Sequence, residues 1–437
     1  MKLRIKTSSF ITAIAIILCI ISTSTLVGIQ INSTILELLI CLIGLFIGLF
    51  MVTNIEKKEY LLLIFMFLAL FLVFEIFYYP STWSQCVRMV VLILALIFIF
   101  SFAIRHNVNI IKLFYKIFFL MSLVSLFIYI IVEILHINLP YTIFTKDWLW
   151  VYKNYGYVYY ARDSGLLDTI GGVSFTRNNG FFSEPGMYCV FLDLCVFINL
   201  FCLKEKKKSD IYILLFTIGT TSSTMGILAL LFMFAYYVVI FTKHKSKATV
   251  FALAGIITAA VIVISIEILS AKVINHTHSV TSRQFDLVQG MQLFLQKPFF
   301  GWGFKNIDVF FASQLGVFTG LRPNSNGVVS TLYQLGVVWS LIYFIPYHNA
   351  YKLIKKHEKK TADVFRMFGM LILILTMGQP IQYTATGYAI IAYLFAFSLN
   401  PGRSNIQIQY MTNSGETKDE QTESCRQTKF IKFSLSE

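Results

Sequence analysis

Five arginines, Arg88, Arg162, Arg177, Arg283 and Arg322, stand apart from the other basic residues of this chain. Lysine gathers in short runs such as Lys204–Lys208 and Lys243–Lys247, whereas these arginines fall outside those clusters. A guanidinium is a planar, permanent charge whose fork grips phosphate through paired hydrogen bonds. Taken singly, each arginine is better read as half of a loop salt bridge. As a set beside a membrane, they favour an anionic headgroup such as a lipid-linked phosphate or pyrophosphate.

Three local patterns surround them. Arg177-Asn178-Asn179-Gly180-Phe181-Phe182-Ser183-Glu184-Pro185-Gly186 puts an arginine and a carboxylate just before an apolar run, with Pro and Gly shaping the start of a helix. Ser282-Arg283, Asp286 and then Lys297-Pro298-Phe299-Phe300-Gly301-Trp302-Gly303-Phe304 form the second. Between Arg283 and Gln296, the spacing of Phe285, Val288, Met291, Leu293 and Leu295 predicts a short amphipathic helix at the surface. The Gly-Trp-Gly turn would let backbone approach a ligand closely, and Trp302 would stack on a sugar face. Arg322-Pro323-Asn324-Ser325-Asn326 is the third, leading into a span that contains Gly336. His276 and His278 are a further possible base, although a loop pair of histidines is more often solvated.

No metal-ligand spacing is present among the seven cysteines, and the outer loops lack clustered acidic residues, so a metal-independent chemistry without cofactors is expected. Cys19, Cys41, Cys86, Cys189, Cys195 and Cys202 lie in or at the ends of apolar runs and read as packing residues; Cys425 lies in the tail.

The elements that must position these groups are membrane spans. The chain is 57% hydrophobic and 13% charged, where soluble domains carry about a quarter charged residues; its mean hydropathy is +0.71. Runs long enough to span, about 20 apolar residues, recur at 8–28, 34–53, 60–78, 86–104, 109–134, 186–203, 211–224, 225–242, 248–270, 327–348, 364–380 and 383–399. The expected fold is all-α, a polytopic integral membrane protein of about 12 transmembrane helices. The first run follows Lys2, Arg4 and Lys6 like a signal peptide, but it is too long and lacks a small-residue cleavage site, so it is read as a retained first span.

With the N-terminus inside, the connections 54–59, 105–109, 204–210, 243–247 and 352–360 fall on the cytoplasmic side, and every strong lysine cluster lies there. The net charge of +14 is therefore topology rather than a nucleic-acid surface. Residues 211–242 are too short for two full crossings and are read as two short ones meeting at Thr220-Thr221-Ser222-Ser223-Thr224. Such a buried polar turn would floor an outward-facing site; the alternative is five hydroxyls bonding their own helix carbonyls. Residues 1–400 form one transmembrane domain with two large extracytoplasmic segments, 136–185 and 271–326. The stretch 401–437 reads as a polar, disordered cytoplasmic tail.

These motifs, in this order, resemble the O-antigen polymerase and O-antigen ligase superfamily of bacterial envelope glycosyltransferases. The resemblance rests on Arg177 to Pro185, on Ser222-Ser223-Thr224-Met225-Gly226, on Arg283 followed by Lys297-Pro298 to Phe304, and on Asn326 leading into a Gly-containing span. It covers roughly residues 175–345. Where members often carry His before Asn, this chain has Ser325. Serine is no base near neutral pH, which argues against a ligase mechanism and tilts the reading toward polymerase.

The resemblance implies an enzyme of the bacterial cytoplasmic (inner) membrane, with both termini cytoplasmic. It would transfer a growing glycan from undecaprenyl pyrophosphate to another lipid-linked repeat unit at the outer face, building O-antigen, capsule or exopolysaccharide. Arg177 and Arg283 would hold the pyrophosphate, supported by Arg162, Arg322 and Arg88. Glu184 would be the base, with Asp286 second, and Trp302 and Asn326 would contact substrate. Capping of its own helix is the competing role for Glu184. Partners would be the undecaprenyl-pyrophosphate-linked oligosaccharide, membrane lipid, and flippase and chain-length regulator proteins; nucleic acid is not expected. A ligase-type transferase is one alternative. A lipid-linked oligosaccharide flippase is the other, kept open by the intramembrane carboxylates Glu37, Glu75, Asp193 and Glu267.

Overall fold

A computed structural model describes residues 7–146, 150–162, 167–170, 173–203, 207–241, 277–315 and 322–404. The predicted run 248–270, with Glu267, lies outside them, as do His276, Cys425 and most of the polar tail.

The apolar runs fold as helices: α1 Thr7–Ser22, α2 Leu26–Ile31, α3 Ser33–Met51, α4 Lys58–Tyr78, α5 Trp83–Arg105, α6 Ile110–Tyr129, α7 Pro185–Phe197, α8 Lys208–Thr221 and α9 Thr224–Phe241. After the second outer segment, with α10 Thr277–Gln296 and α11 Asp308–Gln314, come α12 Gly327–His357, α13 Lys359–Gly378 and α14 Ala385–Leu399. Among the described residues, seven helices are long and apolar enough to cross a membrane, and α1, α14 and the Thr224–Tyr237 part of α9 are shorter apolar helices. The protein is therefore a mostly helical, polytopic membrane protein.

Local chemistry explains the helix starts. The side chains of Thr25, Asn109, Asn326 and Thr384 each accept a bond from a backbone N–H two or three residues into α2, α6, α12 and α14, satisfying donors that a helix start leaves open. α5 and α7 are buried along most of their length, which puts them at the centre of the bundle. Six of the cysteines are buried and free, as their apolar surroundings predict.

The first outer segment departs from the all-helical expectation. It forms an antiparallel sheet of β1 Thr142–Lys146, β2 Trp150–Tyr155 and β3 Tyr159–Arg162, and a hairpin of β4 Leu167–Ile170 and β5 Val173–Thr176. Registers such as Phe144 opposite Tyr152 and Tyr155 opposite Tyr159 bring together aromatic residues that suit a pleated surface.

In the second outer segment, α10 confirms the predicted helix. Phe285, Met291 and Leu293 pack against Phe310, Val329 and Tyr333, while Val288 and Leu295 are exposed. The glycines do something other than admit a ligand. α12 is broken at Gly336 (φ 60°, ψ −174°), and the 298–303 loop is laced to the break: Val337 N to Pro298 O is 2.8 Å, Val338 N to Phe299 O 3.0 Å, Trp302 N to Tyr333 O 2.8 Å and Gly303 N to Gln334 O 3.0 Å. A Cβ on Gly336 would lie 2.3 Å from Phe299 O, and one on Gly301 2.2 Å from Gln334 O. The close approach expected of Gly-Trp-Gly is thus to a helix of the same chain. Gly336→Ala should cost about 1–3 kcal/mol for the backbone conformation alone, with the clash added. A thermal unfolding midpoint equal to that of wild type would contradict this interlock.

Candidate functional site

The first motif is fixed from several sides. Ser222, in the left-handed conformation, ends α8 and separates it from α9, so the expected polar turn exists. Thr220 and Thr221 also bond carbonyls of their own helix, at 2.7 Å each, so two of the five hydroxyls follow the alternative reading, while Ser223 Oγ accepts from Gly226 N. Arg177 crosses to this turn: its Nε donates to Thr221 O (3.0 Å) and a terminal nitrogen to Ser222 O (3.2 Å). A cation there satisfies helix-end carbonyls and the negative end of the helix dipole. Asn178 adds N–H to Thr220 O (2.9 Å) and Nδ2 to Thr220 Oγ1 (3.0 Å). Leu26 N bonds Phe181 O (2.9 Å), Ser183 N bonds Ser24 O (3.0 Å), and Tyr160 N bonds Gly180 O (3.0 Å).

The purpose of that framework is visible one residue further on. Glu184 is exposed and precedes Pro185, the first residue of α7, yet its side chain makes no capping hydrogen bond. The capping role that competed with a functional one is therefore not what holds it. Its Oε2 lies 3.4 Å from Gln379 Nε2, on the turn between α13 and α14.

The second and third motifs form one unit. Asp286, fully buried on α10, pairs with Arg322 at 2.8 and 2.9 Å. It also accepts from Ser325 N (2.9 Å) and Ser325 Oγ (2.6 Å). Arg322 reaches Ser282 O (2.8 Å), and Asn324 Nδ2 donates to Asp286 O (2.8 Å). Asn326 caps α12 through Val329 N at 3.1 Å. Asp286 is thus committed to holding the Arg322–Asn326 loop, and its oxygens are occupied by that work.

Electrostatics bring the two outer segments together. Burial lowers the pKa of Arg162, and Tyr152 and then Glu184 oppose it. Burial likewise lowers that of Arg283, opposed first by Glu184 and then by Asp286, with Arg322 acting in the same sense as burial. Arg283 nonetheless reaches solvent. Glu184 therefore lies within the field of Arg162 from the first segment and Arg283 from the second. An exposed carboxylate whose charge acts on two arginines has the chemistry to take a proton near groups that stabilise an anion.

Two residues sit elsewhere. The indole of Trp302 donates to Leu293 O (2.9 Å), and Lys297 Nζ lies 4.0 Å from its ring centroid. This differs from the expected sugar stacking, because a cation–π contact covers a ring face. Arg88 donates Nε to Glu37, within the span helices α3 and α5. The buried carboxylate of Glu75 accepts Phe304 N, at 3.1 Å from each oxygen, which gives that intramembrane acid a structural use. Sequence reasoning missed Gln379, Gln382 and Lys305. Gln382 donates to Gly327 O (2.7 Å) at the start of α12, so the 379–384 turn touches both motifs. Nothing in the local sequence of that turn announces this. His278 falls in α10. Among the described residues, no three of His, Cys, Asp and Glu gather as metal ligands would.

Residues 211–344 match the family model of O-antigen ligases. The match takes in the 222–226 turn, α10, the 297–304 loop and the Arg322–Asn326 loop, and it supports the resemblance to the O-antigen polymerase and ligase superfamily. It supports a membrane enzyme that processes glycans. No curated protein and no solved structure matches the chain.

Proposed function

We propose that the protein polymerises lipid-linked oligosaccharide repeat units at the outer face of a bacterial cytoplasmic membrane. A growing glycan leaves undecaprenyl pyrophosphate and joins the nonreducing sugar of another lipid-linked unit. The observation that supports this reading is the exposed Glu184, which caps no helix and lies 3.4 Å from Gln379 Nε2, its charge acting on both Arg162 and Arg283, at the end of the bundle that the lysine pattern assigns to the outside.

In the reaction, Glu184 takes the proton of the acceptor hydroxyl, whose oxygen bonds to the anomeric carbon of the donor glycan. The bond from that carbon to the pyrophosphate oxygen breaks, and the lipid pyrophosphate leaves with the electron pair. Arg283 and Arg162 meet its charge directly. Arg177, whose guanidinium grips the α8 carbonyls, and Asp286, through Arg322, act as positioning residues. No nucleotide is required, because the donor carries its own leaving group.

Polymerase is preferred to ligase on one residue. Ser325, in the place where members often have His, bonds Asp286 and supplies no base. The flippase alternative separates by phenotype: its loss stops surface export, whereas loss of a polymerase leaves single repeat units on the surface.

A charge-assisted hydrogen bond contributes about 1.5–3 kcal/mol, so Arg283→Ala should reduce polymerisation about 10- to 100-fold in membrane vesicles supplied with a lipid-linked repeat unit. Wild-type rates at equal protein level would remove Arg283, and the site built on it, from the mechanism.

A further inference from the structure

Gln379, which the reaction above does not use, is held against Glu184 by the chain on either side of it. Pro380 follows it, and a residue before proline is kept out of the helical region. α13 accordingly ends at Gly378, and Gln379 is extended (φ −149°, ψ 133°) while its N–H still bonds Leu375 O. Its carbonyl accepts from Ile381 N at 2.8 Å, which closes the turn. Gln382 ties the turn to the start of α12 through Gly327 O (2.7 Å), and Thr384 caps α14 through Gly387 N (3.2 Å). The backbone at 379 is thus fixed, and its side chain runs toward the start of α7.

Gly186 makes room for that side chain. It is the second residue of α7, and a Cβ there would collide with Gln379 Nε2. The amide therefore lies over the bare backbone of Gly186, two residues from Glu184, with Nε2 3.4 Å from Glu184 Oε2. An ionised carboxylate only accepts, so the nitrogen of the amide is the atom that faces it. The bond is long for N–H···O, as hydrogen bonds of a general base often are before substrate arrives. Glu184 Oε1 makes no hydrogen bond among the described residues.

We propose that Gln379 is the positioning residue of Glu184. Its N–H holds Oε2 and turns Oε1 toward the acceptor hydroxyl, whose proton passes to Oε1; Gln379 itself neither gains nor loses a proton. A base held by a third group is the arrangement that aligns proton transfer. Gly186 belongs to the same device, because its missing side chain is what lets the amide reach the carboxylate. The inference rests on Glu184 as the general base.

The test measures kcat, KM and the unfolding midpoint of the full-length protein in membrane vesicles supplied with a lipid-linked repeat unit. Gln379→Leu keeps the bulk and removes the donor, and it should lower kcat about 10- to 100-fold, the value of a hydrogen bond to a charged group, with KM little changed. In a Glu184→Gln background the same substitution should alter the rate by no more than about 2-fold, since no base remains to be positioned. Gly186→Ala reaches the amide from the other side. Alanine favours a helix more than glycine does, so the unfolding midpoint should not fall, while kcat should drop as in Gln379→Leu. Wild-type kcat in either single variant, or an equal fall from Gln379→Leu in both backgrounds, would overturn the positioning role and leave Glu184 as the base. Glu184→Gln with a rate within 10-fold of wild type would remove the base itself, and the role of Gln379 with it.

Discussion

Glu184→Gln should lower glycan transfer about 100-fold or more while leaving the fold unaltered. A positioned general base contributes about 10²- to 10⁴-fold, and the amide keeps the shape of the carboxylate while losing its capacity to take a proton. The stability side follows from the surroundings of Glu184. It is exposed, and its side chain makes no capping bond and one hydrogen bond among the described residues, with Gln379 Nε2 at 3.4 Å. A surface change of that kind is usually within about 0.5 kcal/mol. Rates in vesicles and thermal unfolding of the same preparations provide the measurement. A rate within 10-fold of wild type would remove the base from the mechanism. A large fall in the unfolding midpoint would show that Glu184 holds structure instead.

Asp286→Ala has the opposite signature. Asp286 is fully buried and pairs with Arg322, whose side chain is 30% exposed. Removing one partner of a buried pair costs about 3–5 kcal/mol, and the partial exposure of Arg322 points to the lower end of that range. The change also leaves Ser325 N and Oγ without their acceptor and frees the loop that begins α12. A drop in unfolding midpoint accompanied by lost activity is expected. Asp286→Asn, which can still accept from Ser325, should be milder in both. An Ala variant as stable as wild type would mean that the pair does not organise the loop.

Much of the scaffold was legible in the sequence because membrane spans are written in hydropathy. The break between α8 and α9 was also readable, since the 32 residues 211–242 are too few for two full crossings and the hydroxyl run marked where the turn falls. The sheet of the first outer segment was missed. Its strands are four to six residues long and lie between much longer apolar runs, so their enrichment in Tyr, Val, Thr and Ile did not stand out.

The site was half legible. Chemistry confined to one stretch, such as Arg177 with Glu184 or Arg322 with Ser325, was visible as motifs. Partnerships between distant segments were not: Gln379 is 195 residues from Glu184, and Glu75 is 229 from Phe304. Side-chain roles also shifted with their surroundings. Trp302 and Arg177 carried ligand-binding residue types, yet their ring face and guanidinium are engaged by Lys297 and by helix carbonyls. Lys305 looked like one more lysine until its left-handed backbone conformation and the bond from its N–H to Gln334 set it apart.

The central claim is that this protein lengthens a lipid-linked glycan. It is tested most directly by the length distribution of the surface glycan in a strain deleted for the gene and complemented with wild type or with Glu184→Gln. The account predicts collapse to single repeat units, restored to full length by wild type and not by the variant. Full-length glycan in the deletion strain, whether left lipid-linked or attached as usual, would contradict it.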